Sequence, residues 1–314
     1  MTRVGAVDLG TNSTRLLVAD VEDGRIEPLE RLLTITRLGE GVDARRRLLP
    51  VPVARVRNAL SEYRRRAEEL GADRVLAIAT SAVRDAENGE AFLGEIEWSY
   101  GFATRLLSGD EEALLTLRGV TSGRELAPRT LLLDVGGGST ELVVGGPEGV
   151  GSHVSLDLGC VRLTERFLHG DPPTRDELDA CARHVAEALP ELHPAGAVGV
   201  AGTVTTLAAL DLGLDEYDPE RIHGHRIPAA AVDEQLARLA ALPLDRRREV
   251  PGLEPERAPV ILAGIVIVRE VLRRYGLDAL EASERDILDG AALAAAELPE
   301  PEEGAAPPGA YTCC

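Results

Sequence analysis

The sequence feature that most constrains this chain is the stretch at residues 131–144, LLLDVGGGSTELVV. Apolar residues lead into Asp134, three glycines follow, and apolar residues resume after Glu141. This pattern predicts a β-hairpin with a tight glycine turn. Glycine has no Cβ, so a charged ligand can approach the N–H groups of such a turn closely. Consecutive N–H groups that point inward form a site for an anion.

A second copy of this pattern lies at residues 4–19, VGAVDLGTNSTRLLVA. It has an apolar strand that contains Asp8, a small polar turn and a second apolar strand. An ordinary glycine-rich hairpin explains one copy, but not two copies about one domain length apart. The pair resembles the phosphate-1 and phosphate-2 motifs of the acetate and sugar kinase/Hsp70/actin superfamily. We therefore expect two similar domains that face each other across a phosphate-binding cleft.

The two hairpins and the arginines near them supply the candidate binding residues. Asp134 and Glu141, with Asp8, are placed to hold a divalent cation beside the anion. Arginine side chains can fork onto phosphate oxygens and make the cleft locally positive. The residues expected to contact phosphate are Asn12, Ser13, Thr14, Arg15, Arg84, Gly136, Gly137, Gly138, Ser139, Thr140 and Arg162.

Composition excludes several classes of protein. The 34 basic residues of the 314-residue chain are all arginine, because the sequence contains no lysine. A P-loop needs its lysine, and pyridoxal and Schiff-base enzymes need one too, so these classes are excluded. The net charge of −19 argues against a nucleic-acid or membrane-surface binder, since both use a basic surface.

The cysteines, the histidines and the apolar runs bear on metal binding and on cellular location. The four cysteines lack metal-ligand spacing, and we expect His223 and His225 to be polar loop residues. No signal peptide precedes the first strand, and the longest apolar run, residues 258–268, is too short to span a bilayer. We expect a cytoplasmic protein with no nucleic-acid or membrane partner.

Five segments, in this order and spacing, resemble the exopolyphosphatase/guanosine pentaphosphate phosphohydrolase (Ppx/GppA) family: DLGTNSTRLL, ATSAVRDAEN, SGDEEA, DVGGGSTEL and LGCVRLTE. The resemblance covers about residues 4–298 and matches the short, two-domain form of the family. It implies an α/β fold of two ribonuclease H-like (actin-like ATPase) domains with an interdomain cleft. We place these domains at residues 1–125 and 126–298, followed by a disordered tail at residues 299–314, which is rich in Pro, Glu, Gly and Ala.

The resemblance also implies a catalytic residue. In this family the glutamate just before the alanine of SGxEEA is taken as the base that activates water, and here it is Glu112. Glu111 precedes it at the start of the same predicted helix, where adjacent side chains point about 100° apart. We expect Glu111 to serve the helix N-terminus, since a carboxylate there interacts favourably with the helix dipole. One departure is Asp289, where members often have glutamate.

The implied activity is Mg²⁺- or Mn²⁺-dependent, processive release of terminal orthophosphate from inorganic polyphosphate, with hydrolysis of pppGpp to ppGpp as a second reaction. We also expect a homodimer. Two alternatives remain open. One is an ATP-dependent kinase or ATPase of the same superfamily, which the segment GTVTT would permit through Gly202 and Thr203. The other is a non-catalytic sensor that binds (p)ppGpp.

Overall fold

The computed structural model describes residues 1–72 and 74–299. These residues form two compact units. The first contains residues 1–124 and the segment that begins at Arg285, and the second contains residues 125–284. The predicted boundary between residues 125 and 126 lies one residue from this division. The second domain, predicted to extend to residue 298, is corrected, because the chain returns to the first unit at Arg285.

The first unit is built on a five-stranded sheet in the order β3-β2-β1-β4-β5. Its first three strands are antiparallel neighbours, and β4 and β5 run parallel to β1. The strands are β1 (Thr2–Leu9), β2 (Ser13–Glu22), β3 (Arg25–Ile35), β4 (Arg74–Ala79) and β5 (Ala103–Leu106). The helices between them are α1 (Val42–Arg45), α2 (Pro50–Glu69), α3 (Ser81–Arg84), α4 (Gly89–Tyr100) and α5 (Gly109–Val120).

The second unit repeats this sheet with one strand added. Its order is β10-β11-β9-β6-β7-β8, in which β6, β7 and β8 are antiparallel and β9 and β11 run parallel to β6. The strands are β6 (Thr130–Val135), β7 (Thr140–Gly146), β8 (Gly149–Leu156), β9 (Gly196–Val200), β10 (Arg226–Pro228) and β11 (Ala279–Ala282). The helices are α6 (Cys160–Phe167), α7 (Arg175–Ala188), α8 (Ala201–Asp211), α9 (Pro219–Ile222), α10 (Ala229–Ala240), α11 (Leu244–Arg247) and α12 (Ile261–Tyr275).

The last helix, α13 (Ile287–Ala296), explains the corrected boundary. It is almost entirely apolar and packs among Val4, Ala6 and Leu17 of β1 and β2, in one buried cluster with Leu115 of α5. Burying this helix covers the second face of the first sheet. The predicted tail lies outside the described residues, apart from Pro299.

The helices on both faces of each sheet also explain why the central strands are apolar along their length. The central strands β1 and β6 are buried on both faces, as expected for strands with helices on either side. Both units thus have the ribonuclease H-like arrangement that was predicted, with three antiparallel strands continued by two parallel ones. None of the helices in the described ranges combines the length and apolar character that a membrane span requires.

Candidate active site

The hairpin of the second unit is formed by β6 and β7, as predicted. Asp134 lies directly opposite Glu141 in the antiparallel ladder, and Val135 lies opposite Thr140. The turn closes with a hydrogen bond of 3.0 Å from the N–H of Gly136 to the carbonyl of Ser139. The glycines and the two carboxylates therefore belong to one compact element.

The carbonyl groups of this glycine turn are held by the start of α6. The N–H groups of Cys160 and Val161 donate to Gly136 and Gly137, at 3.0 and 2.9 Å. The Nε of Arg162 donates to the carbonyl of Gly138 at 2.7 Å. In a trans peptide the C=O and the following N–H point in opposite directions.

The N–H groups of the next three residues, Gly137, Gly138 and Ser139, are therefore turned away from α6. Within residues 1–72 and 74–299, no hydrogen-bond partner is found for these three groups. Adjacent N–H groups with this shared direction form an anion-binding concavity.

Gly159 makes the close approach of α6 possible. A Cβ at this position would come closer than 3.0 Å to backbone atoms of Gly137 and Gly138. Any side chain at residue 159 must therefore push the helix and the turn apart. No motif in the sequence marked this glycine, because its partner is the backbone of another segment.

The hairpin of the first unit is supported in the same way by a different segment. The carbonyl of Thr11 accepts the N–H of Gly39 at 2.8 Å. The carbonyl of Asn12 accepts the N–H groups of Thr36 and Arg37, at 3.1 and 2.9 Å. The N–H groups of Asn12 and Ser13 point to the opposite side, as in the second hairpin.

Two predicted phosphate ligands use their hydroxyl groups within the protein. The Oγ1 of Thr14 lies 2.9 Å from the Oγ1 of Thr36, and both residues are fully buried. The Oγ1 of Thr140 donates to the carbonyl of Leu158. Contact with phosphate through these side chains is thus not supported, because hydroxyls on buried strand residues satisfy local backbone and side-chain groups.

The carboxylates of the second hairpin form a buried acidic pair. Asp134 and Glu141 are both less than one-tenth exposed, and Ser155 donates its hydroxyl to Oε1 of Glu141 at 2.7 Å. The described residues contain no group of three or more Asp, Glu, His or Cys side chains arranged to hold a metal. Mg²⁺ commonly uses only one or two carboxylates, and substrate phosphates and water complete its coordination.

The equivalent positions in the first hairpin carry Asp8 and Arg15, which also lie opposite each other. Arg15 donates from Nε and Nη2 to Oδ2 of Asp8, at 2.9 and 2.7 Å, and from Nη1 to Asp286. These contacts do not support the prediction of Arg15 as a phosphate ligand, because its guanidinium is bound by two carboxylates. Burial raises the pKa of Asp8, and the charge of Arg15 opposes this effect.

Glu112 is buried in the first turn of α5, 7% exposed. Arg84 donates from Nη1 to Oε2 of Glu112 at 3.2 Å and to the carbonyl of Leu107 at 2.7 Å. This ion pair holds the carboxylate of Glu112 in one orientation at the start of the helix. The structure thus brings together two of the predicted site residues, Glu112 and Arg84.

Glu111 has the structural role that was expected. Its carboxylate accepts the N–H and hydroxyl of Ser108, both at 2.9 Å, while Ser108 accepts the N–H of Glu111, which completes a capping box. Arg105 adds an ion pair at 2.6 Å. The Ser108 hydrogen bonds and Arg105 lower the pKa of Glu111 to about 2.

A pH dependence of stability follows from Glu111. Its folded pKa is depressed, so its stabilisation is complete above the unfolded value near 4.5 and is lost as the pH falls towards 2. We expect Glu111→Gln to destabilise the protein at pH 7 by about 0.5–1 kcal/mol, a small value because the ion pair is solvent-screened. Thermal unfolding should show this difference at pH 7 and a smaller one near pH 3. An equal difference at both pH values would contradict the assignment.

Two further arginines shape the second unit. Arg162, predicted to bind phosphate, is buried and supports the turn through Gly138, so its contact is with the carbonyl side of the loop. The sequence analysis did not single out Arg257, because the residues around it have the composition of an ordinary polar linker. A Cβ on Gly202 would collide with the guanidinium of Arg257, which therefore lies directly on the start of α8.

The predicted loop histidines form local contacts. His225 Nε2 lies 2.6 Å from Oδ2 of Asp211, and His223 accepts the N–H of Glu284 at 3.2 Å.

Comparison with known proteins identifies the family. The model of the Ppx/GppA phosphatase family matches residues 17–296. The chain belongs to the Ppx/GppA phosphatase family. It is 42% identical to exopolyphosphatase 2 of Mycobacterium tuberculosis, over 94% of this chain and 99% of that protein. It is 31% identical to exopolyphosphatase 1 of Mycobacterium bovis, over 93% of this chain and 87% of that protein.

Solved structures agree with this assignment. An exopolyphosphatase-like protein superposes with a TM-score of 0.87 at 35% identity, covering 93% of this chain and 98% of the other. The Ppx/GppA family member of Aquifex aeolicus superposes with a TM-score of 0.78 at 30% identity, covering 94% and 97%. The resemblance seen in the sequence motifs is thus confirmed, and this Ppx/GppA protein is a phosphohydrolase.

Proposed function

We propose that this Ppx/GppA protein is an exopolyphosphatase that releases terminal orthophosphate from inorganic polyphosphate. The observation that carries the proposal is the pair of hairpin turns, each held from its carbonyl side so that adjacent N–H groups face away. Such groups bind successive phosphate oxygens without side-chain charge. The similarity to exopolyphosphatase 2 along nearly the whole of both chains supports polyphosphate as the substrate.

The proposed reaction is attack of water on the terminal phosphorus. The water oxygen forms a bond to phosphorus, and the bond to the bridging oxygen breaks. Orthophosphate leaves, and the bridging oxygen stays on the shortened chain. Glu112 accepts the proton of the water, and Arg84 orients that carboxylate. Catalysis of phosphoryl transfer rests mainly on positioning and on electrostatic stabilisation, which the fixed N–H groups provide.

We further propose Mg²⁺, or Mn²⁺ in its place, as the cofactor. The oxygens of Asp134 and Glu141 are the ligands that these cations prefer, and both carboxylates are buried at one turn. The family resemblance implies Asp8 as a further ligand, and its Oδ1 is buried and lacks a hydrogen-bond partner among the described residues. When bound, the cation would neutralise phosphate charge.

The metal assignment predicts the effect of Asp134→Asn. We expect the Mg²⁺ concentration for half-maximal activity to rise about tenfold or more, because one charged ligand is lost. The melting temperature without metal should change little. Phosphate release is measured against Mg²⁺ concentration, with Asp245→Asn, at an exposed carboxylate, as the control. A fall in stability that matches the fall in activity would instead indicate a structural role.

Phosphate release from polyphosphates of graded length, from pppGpp and from ATP tests the function. We expect Mg²⁺-dependent release from polyphosphate, with pppGpp as the second substrate that the family resemblance supports. Rapid ATP hydrolysis with no release from polyphosphate would favour the kinase or ATPase alternative. Binding of (p)ppGpp without any turnover would favour the sensor.

The family resemblance also supports a cytoplasmic homodimer. Light scattering of the purified protein tests the dimer.

A further inference from the structure

Arg15 has contacts unlike those of a substrate ligand. Three of its N–H groups are directed to Asp8 and Asp286, and its side chain is only 17% exposed. The three side chains together carry a formal net charge of −1, from one arginine and two aspartates. A phosphate group brought to this guanidinium would meet two carboxylates, so the cluster is better suited to hold protein groups in place than to attract an anion.

One end of this cluster fixes Asp8. Because Oδ2 accepts both hydrogen bonds from Arg15, the carboxylate has one orientation, and its Oδ1 has no hydrogen-bond partner in the part of the chain that the structure describes. A buried carboxylate oxygen without a hydrogen bond costs free energy until a ligand or cation meets it. Both oxygens lie near Gly10, where a Cβ would be 3.7 and 3.8 Å away. Arg15 thus presents Asp8 at the first turn.

The other end of the cluster fixes α13. Asp286 is the N-cap of this helix and accepts the N–H of Leu288 at 2.9 Å. Its own N–H donates to Asp289 at 3.1 Å, and Asp289 accepts a hydrogen bond from Arg31 of β3 at 2.6 Å. The start of α13 is therefore tied to β2 and β3 by two arginines.

The helices α13 and α5 touch backbone to backbone. A Cβ on Gly119 would collide with the carbonyl of Asp286, and a Cβ on Gly290 would collide with the carbonyl of Leu115. Leu115 lies one helical turn after Glu112. Because side chains do not separate the helices at these points, a shift of α13 must move α5 as well.

We propose that Arg15 is a positioning residue. It binds Asp8 and Asp286 together and so fixes the position of the start of α13 relative to Asp8. Through the contact between α13 and α5, the same residue sets the position of Glu112. The inference rests on the proposed exopolyphosphatase function, in which that glutamate is the base. A misplacement of about 1 Å in a catalytic group lowers turnover about 10²-fold, so small shifts at this cluster are measurable.

The test compares Arg15→Lys, Asp286→Asn and the double variant. Lysine keeps the charge but lacks the planar fork that joins two carboxylates, and asparagine keeps the helix cap without the charge. We expect each single variant to lower kcat for polyphosphate about tenfold or more, with KM changed less than about twofold. The double variant should be no worse than the poorer single one, since both remove the same connection.

Arg3→Lys is the matched control. Arg3 joins the same two strands through a bidentate pair with Asp20, at 2.8 and 2.9 Å, at the far end of the ladder. Its kcat should stay within about twofold of the wild type. A similar loss of kcat in this control would show that ion pairs between β1 and β2 affect activity only through the stability of the sheet.

Other outcomes also decide the matter. A raised KM with unchanged kcat would make Arg15 a phosphate ligand, and additive losses would show two independent roles. If Arg15→Lys does not fold, Asp286→Asn alone decides, and normal turnover overturns the inference. A wild-type protein that releases no phosphate overturns the proposed function and this inference together. If the wild type is active but the variants do not show the expected fall in kcat, this inference alone is overturned.

Discussion

Glu112→Gln is expected to lower turnover of polyphosphate by about 10²–10⁴-fold, the usual contribution of a positioned general base. Glutamine has the same size and keeps a hydrogen bond with Arg84, but it cannot accept the proton of the attacking water. In the proposed function the turn N–H groups bind the substrate, so KM should change little. Steady-state phosphate release with Mg²⁺ measures both constants.

Glu111→Gln is the matched control for this prediction. The two glutamates are adjacent in α5, but Glu111 is bound to Ser108 and Arg105 at the helix start. Its replacement should leave turnover within about twofold, because the residue acts on helix stability alone. The reverse order of effects would move the base to Glu111. Small effects of both changes would contradict general-base catalysis.

Gly159→Ala is expected to lower kcat/KM by about 10²-fold or more, because a displacement of about 1 Å at a catalytic site has this effect. The new Cβ would overlap with the backbone of Gly137 and Gly138, so α6 can no longer hold the carbonyl side of the turn. The N–H groups that face away would then lose their shared direction. Substrate affinity and turnover should both fall.

Gly196→Ala is the control for this change, since a Cβ there would meet no atom of the described residues within 4 Å apart from its own chain neighbours. It lies at the start of β9 in the same unit and should retain full activity. Both variants are compared by phosphate release and by thermal unfolding. Full activity of Gly159→Ala in a folded protein would show that the turn N–H groups do not bind substrate.

Local patterns in the sequence predicted much of this protein. The two hairpins, their turns and the carboxylates at their ends follow from apolar alternation and turn chemistry, which depend on neighbouring residues. The separation of Glu111 from Glu112 was likewise predictable, because Ser108 and Glu111 have the spacing of a capping box. The family motifs added the assignment of Glu112.

Tertiary structure alone decided how the arginines are used. The sequence shows that Arg15 and Arg162 lie near the turns, but the partner of Arg15 at Asp286 is 271 residues away. No local pattern reveals such a partner. An arginine beside a phosphate-binding loop can bind either a carboxylate or a phosphate, so its residue type does not decide between them. The return of the chain to the first unit at Arg285 could not be predicted either, because it also depends on contacts between residues far apart in the sequence.

The supports of the two turns also depend on the fold. They consist of backbone N–H groups from residues 36–39 and from the start of α6. Every residue other than proline carries such a group, so no residue type identifies the ones that will be used. Local sequence therefore determined which turns can bind an anion, whereas only long-range packing decided which way their N–H groups point.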